Sequence, residues 1–417
     1  MASSSSAANQ RRRPLFPILV ALSLLPAAVL AATRGEQEGD RVRFLPGQPS
    51  RPPVSQFAGY VTVNEHSGRA LFYWFFEAHM SPAQEPLLLW LNGAASEMGP
   101  LLVNGNGTGL EFNKFAWTRE ANLLFLESPV GVGFLYSNTT SDLDSMDDGF
   151  VAEDTYTFLV NWFNRFPHYA GHYVPQLAEM VYERNKHLEM NQHINLKGFI
   201  VGNAVTDDYY DEKGLVEFAW SHSVISDQLY QHVKNVCNFR TIFFTGECTH
   251  AMNLVYTQYD KIDIYNVYAP KCNTDESALL SSSSDSTIEK TAKKKFRRLR
   301  MYSGYDPCYS THIEDYLNMI EDRRWSICSY SIFDNYDDNL FTVRPLYSKL
   351  VKTGLRVWVY SGDMDGRVPV IDHRTTVHLP LLPPLWLVAL LLPVGAAVRL
   401  HLLLGPVILA AGHLLCY

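Results

Sequence analysis

The sequence predicts an α/β protein organised as one large elaborated domain, and three observations carry that expectation. First, 417 residues are enough to bury a sizeable single core. Second, residues 57–135 alternate short β-branched and aromatic runs with turn residues, as strands do. Third, that strand-rich part gives way to helical spacing in 148–163, where Phe158, Leu159 and Trp162 share a face, before apolar strand-like runs return.

The elements follow in order. Arg11, Arg12 and Arg13 form a basic segment ahead of an apolar run from Leu15 to Leu30, closed by Ala31 and Ala32. Residues 1–32 therefore read as a secretory signal peptide. A signal anchor fits less well, because Pro17 and Pro26 interrupt a run that is short for a span. Residues 33–56 are polar and proline-rich, an N-terminal arm. Ile194 to Val201 reads as a buried strand that begins by alternating and ends apolar, leading into Gly202-Asn203-Ala204. Ser281–Ser284 and the basic run Lys293–Arg300 mark an exposed flexible linker at about 280–300. Leu355 to Tyr360 is a late core strand. Residues 375–417 then contain no Asp, Glu, Lys, Asn or Gln, and five prolines break any regular helix there. This apolar, proline-rich tail reads as an altered reading of the gene, with a membrane anchor as the runner-up; 385–398 is short for a span.

Several motifs in order resemble the serine carboxypeptidases, particularly the plant type II-like group. They are Phe57–Val63 with Ala70–Ala78, Leu87–Gly93, Glu127–Phe134, Tyr169-Ala170-Gly171-His172-Tyr173-Val174-Pro175, and Tyr360–Pro369. The resemblance covers roughly residues 42–372. It implies an α/β-hydrolase fold with a helical cap insertion. The division is then 33–204 for the first part of the hydrolase domain, 205–340 for the cap and 341–374 for its end. In this family a strand and Gly-Glu-Ser-Tyr precede Ala-Gly-His-Tyr. Here Phe166-Pro167 runs almost directly into Tyr169, and His168 stands where the nucleophilic Ser would be. No Gly-x-Ser-x-Gly occurs elsewhere. The central sheet is therefore expected to be incomplete.

The chemistry this resemblance implies is acyl transfer, in which a base activates the hydroxyl and an acid orients the base. The family's chain order is Ser, Asp, His. Asp365 matches the orienting acid, and Asp363 is structural. His413, after Ala411-Gly412, is a weak match to the catalytic His. Asn92 and Gly93 match the subsite for the substrate carboxylate, with Glu97 as a weak match to one Glu of its proton-sharing pair. Tyr169 matches the residue after the Ser, which supplies an oxyanion N–H. The resemblance also implies disulfides Cys237–Cys248 and Cys272–Cys308 and leaves Cys328 without its mate. It further implies a homodimer.

A net charge of −8 argues against a nucleic-acid partner. No zinc-ligand spacing or dinucleotide motif stands in a credible context, so neither metal nor cofactor is expected. The cysteines and the sequons at Asn106 and Asn138 fit a secreted or vacuolar glycoprotein. The expected function is serine-type carboxypeptidase activity on peptide or protein C-termini, with this chain inactive for want of its Ser. The alternatives are a non-catalytic peptide-binding relative, a mispredicted or alternatively spliced product, and an acyltransferase of the carboxypeptidase-like group.

Overall fold

The computed structural model describes residues 35–50, 55–91, 99–104, 109–131, 133–144, 146–166, 175–241, 244–259, 262–270, 316–317, 341–371, 386–387 and 407–411. The strands of its main sheet are β1 (Arg41–Val42), β2 (Gln56–Asn64), β3 (Arg69–Phe76), β4 (Leu87–Leu91), β7 (Asn122–Leu126), β8 (Gly198–Gly202), β11 (Arg356–Tyr360), β12 (Trp386–Leu387) and β13 (Val407–Ala411). Two short strands, β5 (Leu101–Val103) and β6 (Leu110–Phe112), form a hairpin beside it. The main sheet runs β1-β2-β3-β7-β4-β13-β8-β11-β12. Its first strands pair antiparallel, and from β7 to β12 every neighbouring pair is parallel.

The central strands read as continuous apolar runs because both of their faces are covered. Leu87 and Leu89 join one buried cluster, and Leu88 and Trp90 join another, as the two-residue period of a strand requires. The first cluster is roofed by α1 (Asp148–Arg165), α2 (Pro175–Asn185) and, later in the chain, α6 (Arg344–Val351). The Asp147 carboxylate caps α1 by accepting from the Phe150 N–H at 2.7 Å. The helix ends in an aromatic knot: Trp162 stacks on Phe166 at 4.5 Å, and Phe166 meets Phe57 edge-on at 5.5 Å.

A buried charge network fixes α1 to the sheet. The Arg69 guanidinium grips Asp154 through Nε at 2.6 Å and Nη2 at 2.9 Å, and donates to Asp142 at 2.7 Å. The bidentate fork suits a planar guanidinium. The N-terminal arm is tied down as well. Asp40 accepts from the Tyr73 hydroxyl at 2.6 Å and from Arg165 at 2.7 Å, and β1 extends the sheet beside β2.

The segment after β8 forms a smaller helical unit with its own core. It comprises α3 (Asp208–Ser221), α4 (Asp227–Val236), α5 (Gly246–Gln258) and the hairpin β9 (Ile262–Asp263) with β10 (Asn266–Pro270). Asp207, Ser226 and Thr245 cap the three helices. The expected Cys237–Cys248 disulfide is present and joins the end of α4 to the first turn of α5, with Cα atoms 4.8 Å apart.

Two expectations are revised. The strand expected over Ile194–Val201 begins only at Gly198. The side-chain amide of Asn185 donates to the Ile194 carbonyl at 2.8 Å and accepts from its N–H at 3.0 Å, so that backbone is satisfied away from the ladder. The larger correction concerns the sheet, which was expected to be incomplete. It is continuous, because β13 from the apolar tail lies between β4 and β8. Among the described residues, no helix is long and apolar enough to cross a membrane.

Removing one partner of a buried ion pair leaves an uncompensated charge and typically costs about 3–5 kcal/mol. Urea denaturation is therefore expected to show Arg69→Met destabilised by that amount. The double variant Arg69→Met/Asp154→Leu should lose less than the sum of its singles.

Candidate active site

The parallel strands β7, β4, β13, β8 and β11 all end on one edge of the sheet. In open α/β sheets, ligands sit outside such carboxyl ends, where the chain reverses its direction of travel across the sheet. Here the chain moves outward from β4 to β7 and then crosses to β8, so the reversal lies over β4 and β13.

Asp365 follows β11 on this edge, in the loop Ser361–Val368. It is 5% exposed. Its Oδ1 accepts from the Arg367 N–H at 2.7 Å and the Val368 N–H at 3.1 Å. Burial pushes its carboxyl well above the ordinary carboxylate range, against the pull of those two N–H groups and the Arg367 charge.

The loop is held from two sides. On the sheet side stands Asn203, directly after β8. Its Nδ2 donates to the Val368 carbonyl at 3.0 Å, the Gly362 carbonyl at 3.3 Å and the Ser361 hydroxyl at 3.3 Å, while Oδ1 accepts from the Gly362 N–H at 2.8 Å. Asn203 adopts φ +42°, a left-handed conformation that Asn tolerates better than most residues. On the cap side, the Ile264 carbonyl accepts from the Gly366 N–H at 2.7 Å, and the Met364 carbonyl from the Val267 N–H at 3.0 Å. The acid loop is thus clamped between sheet and cap.

Two further buried carboxylates flank this edge. Glu127, just past β7, accepts from the Phe134 N–H at 2.7 Å. A side chain at Gly133 would collide with that carboxylate, and the φ of +60° there also favours glycine. Asp211, in the first turn of α3, accepts from the Thr206 N–H at 2.8 Å and the Asp207 N–H at 2.9 Å. Its Oδ1 has no partner among the described residues. Burial pushes this carboxyl up to about 8, against those two N–H groups.

Of the residues singled out from sequence, Asp365 stands on the carboxyl edge. Asn138 is solvent-exposed, and its N–H donates to the Ser67 carbonyl at 3.0 Å. Asn92, Gly93, Glu97, Asn106, Tyr169, Cys272, Cys308, Cys328 and His413 lie outside the described residues. Asn203 was not singled out as a site residue. Its signal was present, a polar residue directly after a buried strand that ends at the carboxyl edge. Among the described residues, no three His, Cys, Asp or Glu side chains converge as metal ligands.

The serine carboxypeptidase family profile matches residues 46–381. Serine carboxypeptidase-like 26 of Oryza sativa subsp. japonica is 55% identical over 386 residues, covering 84% of this chain and 80% of that relative. Serine carboxypeptidase-like 33 of Arabidopsis thaliana is 50% identical over 378 residues, covering 82% and 79%. Among solved structures, the prohormone-processing carboxypeptidase KEX1(delta)p of Saccharomyces cerevisiae superposes with a TM-score of 0.62 at 19% identity, covering 82% of this chain and 81% of that one. At that identity the match establishes the α/β-hydrolase fold alone.

Two outcomes follow from the clamp and the cap. Asn203→Ala leaves buried backbone groups of the acid loop without partners, at about 1–3 kcal/mol, measurable by urea denaturation. Asn203→Gly should cost less than Ala, because glycine accepts the positive φ. Asp211 adds a pH dependence. Its folded value of about 8 lies above that of an unfolded Asp, so the native state holds a proton that the unfolded chain releases. Its contribution is complete below the unfolded value and is lost as pH rises towards 8. The melting temperature should therefore fall across that window, and fall less steeply in Asp211→Asn.

Proposed function

Because the chain belongs to the serine carboxypeptidase family, we propose that it is a member built for proteolysis at peptide C-termini in which the acid limb of the machinery is kept and the nucleophile is not. The family reaction releases C-terminal residues through an acyl-enzyme. The observation that carries this reading is Asp365: a buried carboxylate just past β11, clamped by Asn203 and the cap, in the Gly-Asp-x-Asp loop where the family places its orienting acid. An orienting acid serves a base, and a base serves a nucleophile. With His168 in the place of the Ser, the chain engages peptide or protein C-termini without hydrolysing them. Acyltransfer would need the same Ser and meets the same deficit.

The route to its site of action is the secretory pathway, ending outside the cell or in the vacuole. Supporting this are the signal-like residues 1–32, the Cys237–Cys248 bond and the exposed sequon at Asn138. A second reading has its own support. The interruptions at 92–99 and 167–170 and the unrelated tail all coincide with family motifs, the pattern expected of an alternatively spliced or mispredicted product.

Purified chain is expected to show no hydrolysis of blocked dipeptides above background at acidic pH. Turnover that disappears in Asp365→Asn would overturn the nucleophile-less reading. Full-length transcripts that restore Gly-Glu-Ser-Tyr and a Gly-His-Val-Pro tail would assign hydrolysis to the locus and make this chain a by-product of it.

A further inference from the structure

We propose that Val407–Ala411 is a replacement strand, which fills from the far end of the sequence a central slot that the chain leaves open on its way from β7 to β8. This inference is independent of the proposed function, since it concerns how the sheet closes and not what the edge binds.

In a parallel sheet, each crossover helix normally returns the chain to a new strand. Between β7 and β8 the chain forms two helices, α1 and then α2, and both pack in the same buried cluster on one face of the sheet. Among the described residues between β7 and β8, none pairs with β4 or β8 in the sheet. The neighbouring sheet position, between β4 and β8, is nonetheless filled. β13 pairs parallel with β4 over five positions, Val407 opposite Leu87 through Ala411 opposite Leu91. On its other side, Ala410 and Ala411 lie opposite Ile200 and Val201 of β8.

That position cannot stand empty. Neighbouring strands lie about 4.7–4.9 Å apart, so removing one leaves its neighbours too distant to pair with each other. In β4, Leu87–Trp90 are buried, and in β8 all five residues are. Their inward-facing N–H and C=O groups would then lack both protein and water partners, at a cost of about 1–3 kcal/mol for each group. The segment that fills the slot has the composition of a strand covered on both faces: Val-Ile-Leu-Ala-Ala, uncharged, with three β-branched or large aliphatic residues. Pro406 stands just before it, where the missing N–H is tolerated, and Gly412 just after. Position, direction and composition agree. A segment beyond the matched residues 46–381 thus supplies a central strand of the sheet.

Hydrogen exchange on the unaltered full chain tests this directly. The amides of Val407–Ala411 are expected to exchange at least about a thousandfold more slowly than in a free peptide, in step with those of β4 and β8. Free-peptide exchange of 407–411 beside protected β4 and β8 would overturn the proposal. A full-chain Leu409→Pro variant gives a second reading, because proline removes a donor from the middle of a central strand. Protection of β4 and β8 is expected to collapse together in it, while the disulfide-linked α4–α5 pair keeps its own. A variant in which β4 and β8 stay as protected as in the parent contradicts the replacement role. If Leu409→Pro does not fold at all, the exchange pattern of the unaltered chain decides.

Discussion

The parallel ladder at the centre of the sheet is the constraint on which everything else rests. β4 and β8 belong to halves of the chain separated by the two crossover helices, and among the described residues β13 is the strand that joins their ladders. The buried cluster under α1, α2 and α6 draws side chains from both halves, Leu87 and Leu89 on one side and Phe199 and Val201 on the other. If the ladder opened at β13, that core would divide. The acid loop would go with it, because Asn203 positions that loop from the end of β8. Site geometry and sheet closure are therefore one problem in this chain.

Around that ladder the attachments differ in kind. On the β2–β3 side, charge and aromatic stacking do the holding, with Arg69 gripping Asp154 and Asp142 while Phe57, Trp162 and Phe166 interlock. On the cap side, a covalent link and three capped helices give a unit with its own apolar core. The unit meets the acid loop through main-chain hydrogen bonds from the β9–β10 hairpin and its turn, and through the Tyr259 ring against Gly366.

Much of the frame was legible in the sequence because it is written locally. The short runs within 57–135 and the run Leu355–Tyr360 announce strands by composition, and the spacing of Phe158, Leu159 and Trp162 announces α1. Asp365 was found through its flanking motif. What remained hidden was long-range. Nothing near Arg41 signals that the arm adds an edge strand, and nothing in Asn203 itself reveals four bonds to a loop more than 150 residues away. The place of the tail in the sheet was hidden for a related reason. An apolar segment free of polar punctuation looks the same whether it spans a membrane, comes from a misread gene or completes a fully covered sheet. Its pairing with β4 and β8 becomes visible only in three dimensions.

With β13 seated between β4 and β8, the sheet should unfold as one cooperative unit. Scanning calorimetry of the purified full-length chain tests it most directly. The expected result is a sharp main transition whose calorimetric and van't Hoff enthalpies agree, with an enthalpy near 0.7 kcal/mol for each residue of the hydrolase domain at about 60 °C. A broad, low-enthalpy melt, or two separate transitions dividing the β2–β4 half from the β8–β11 half, would contradict it.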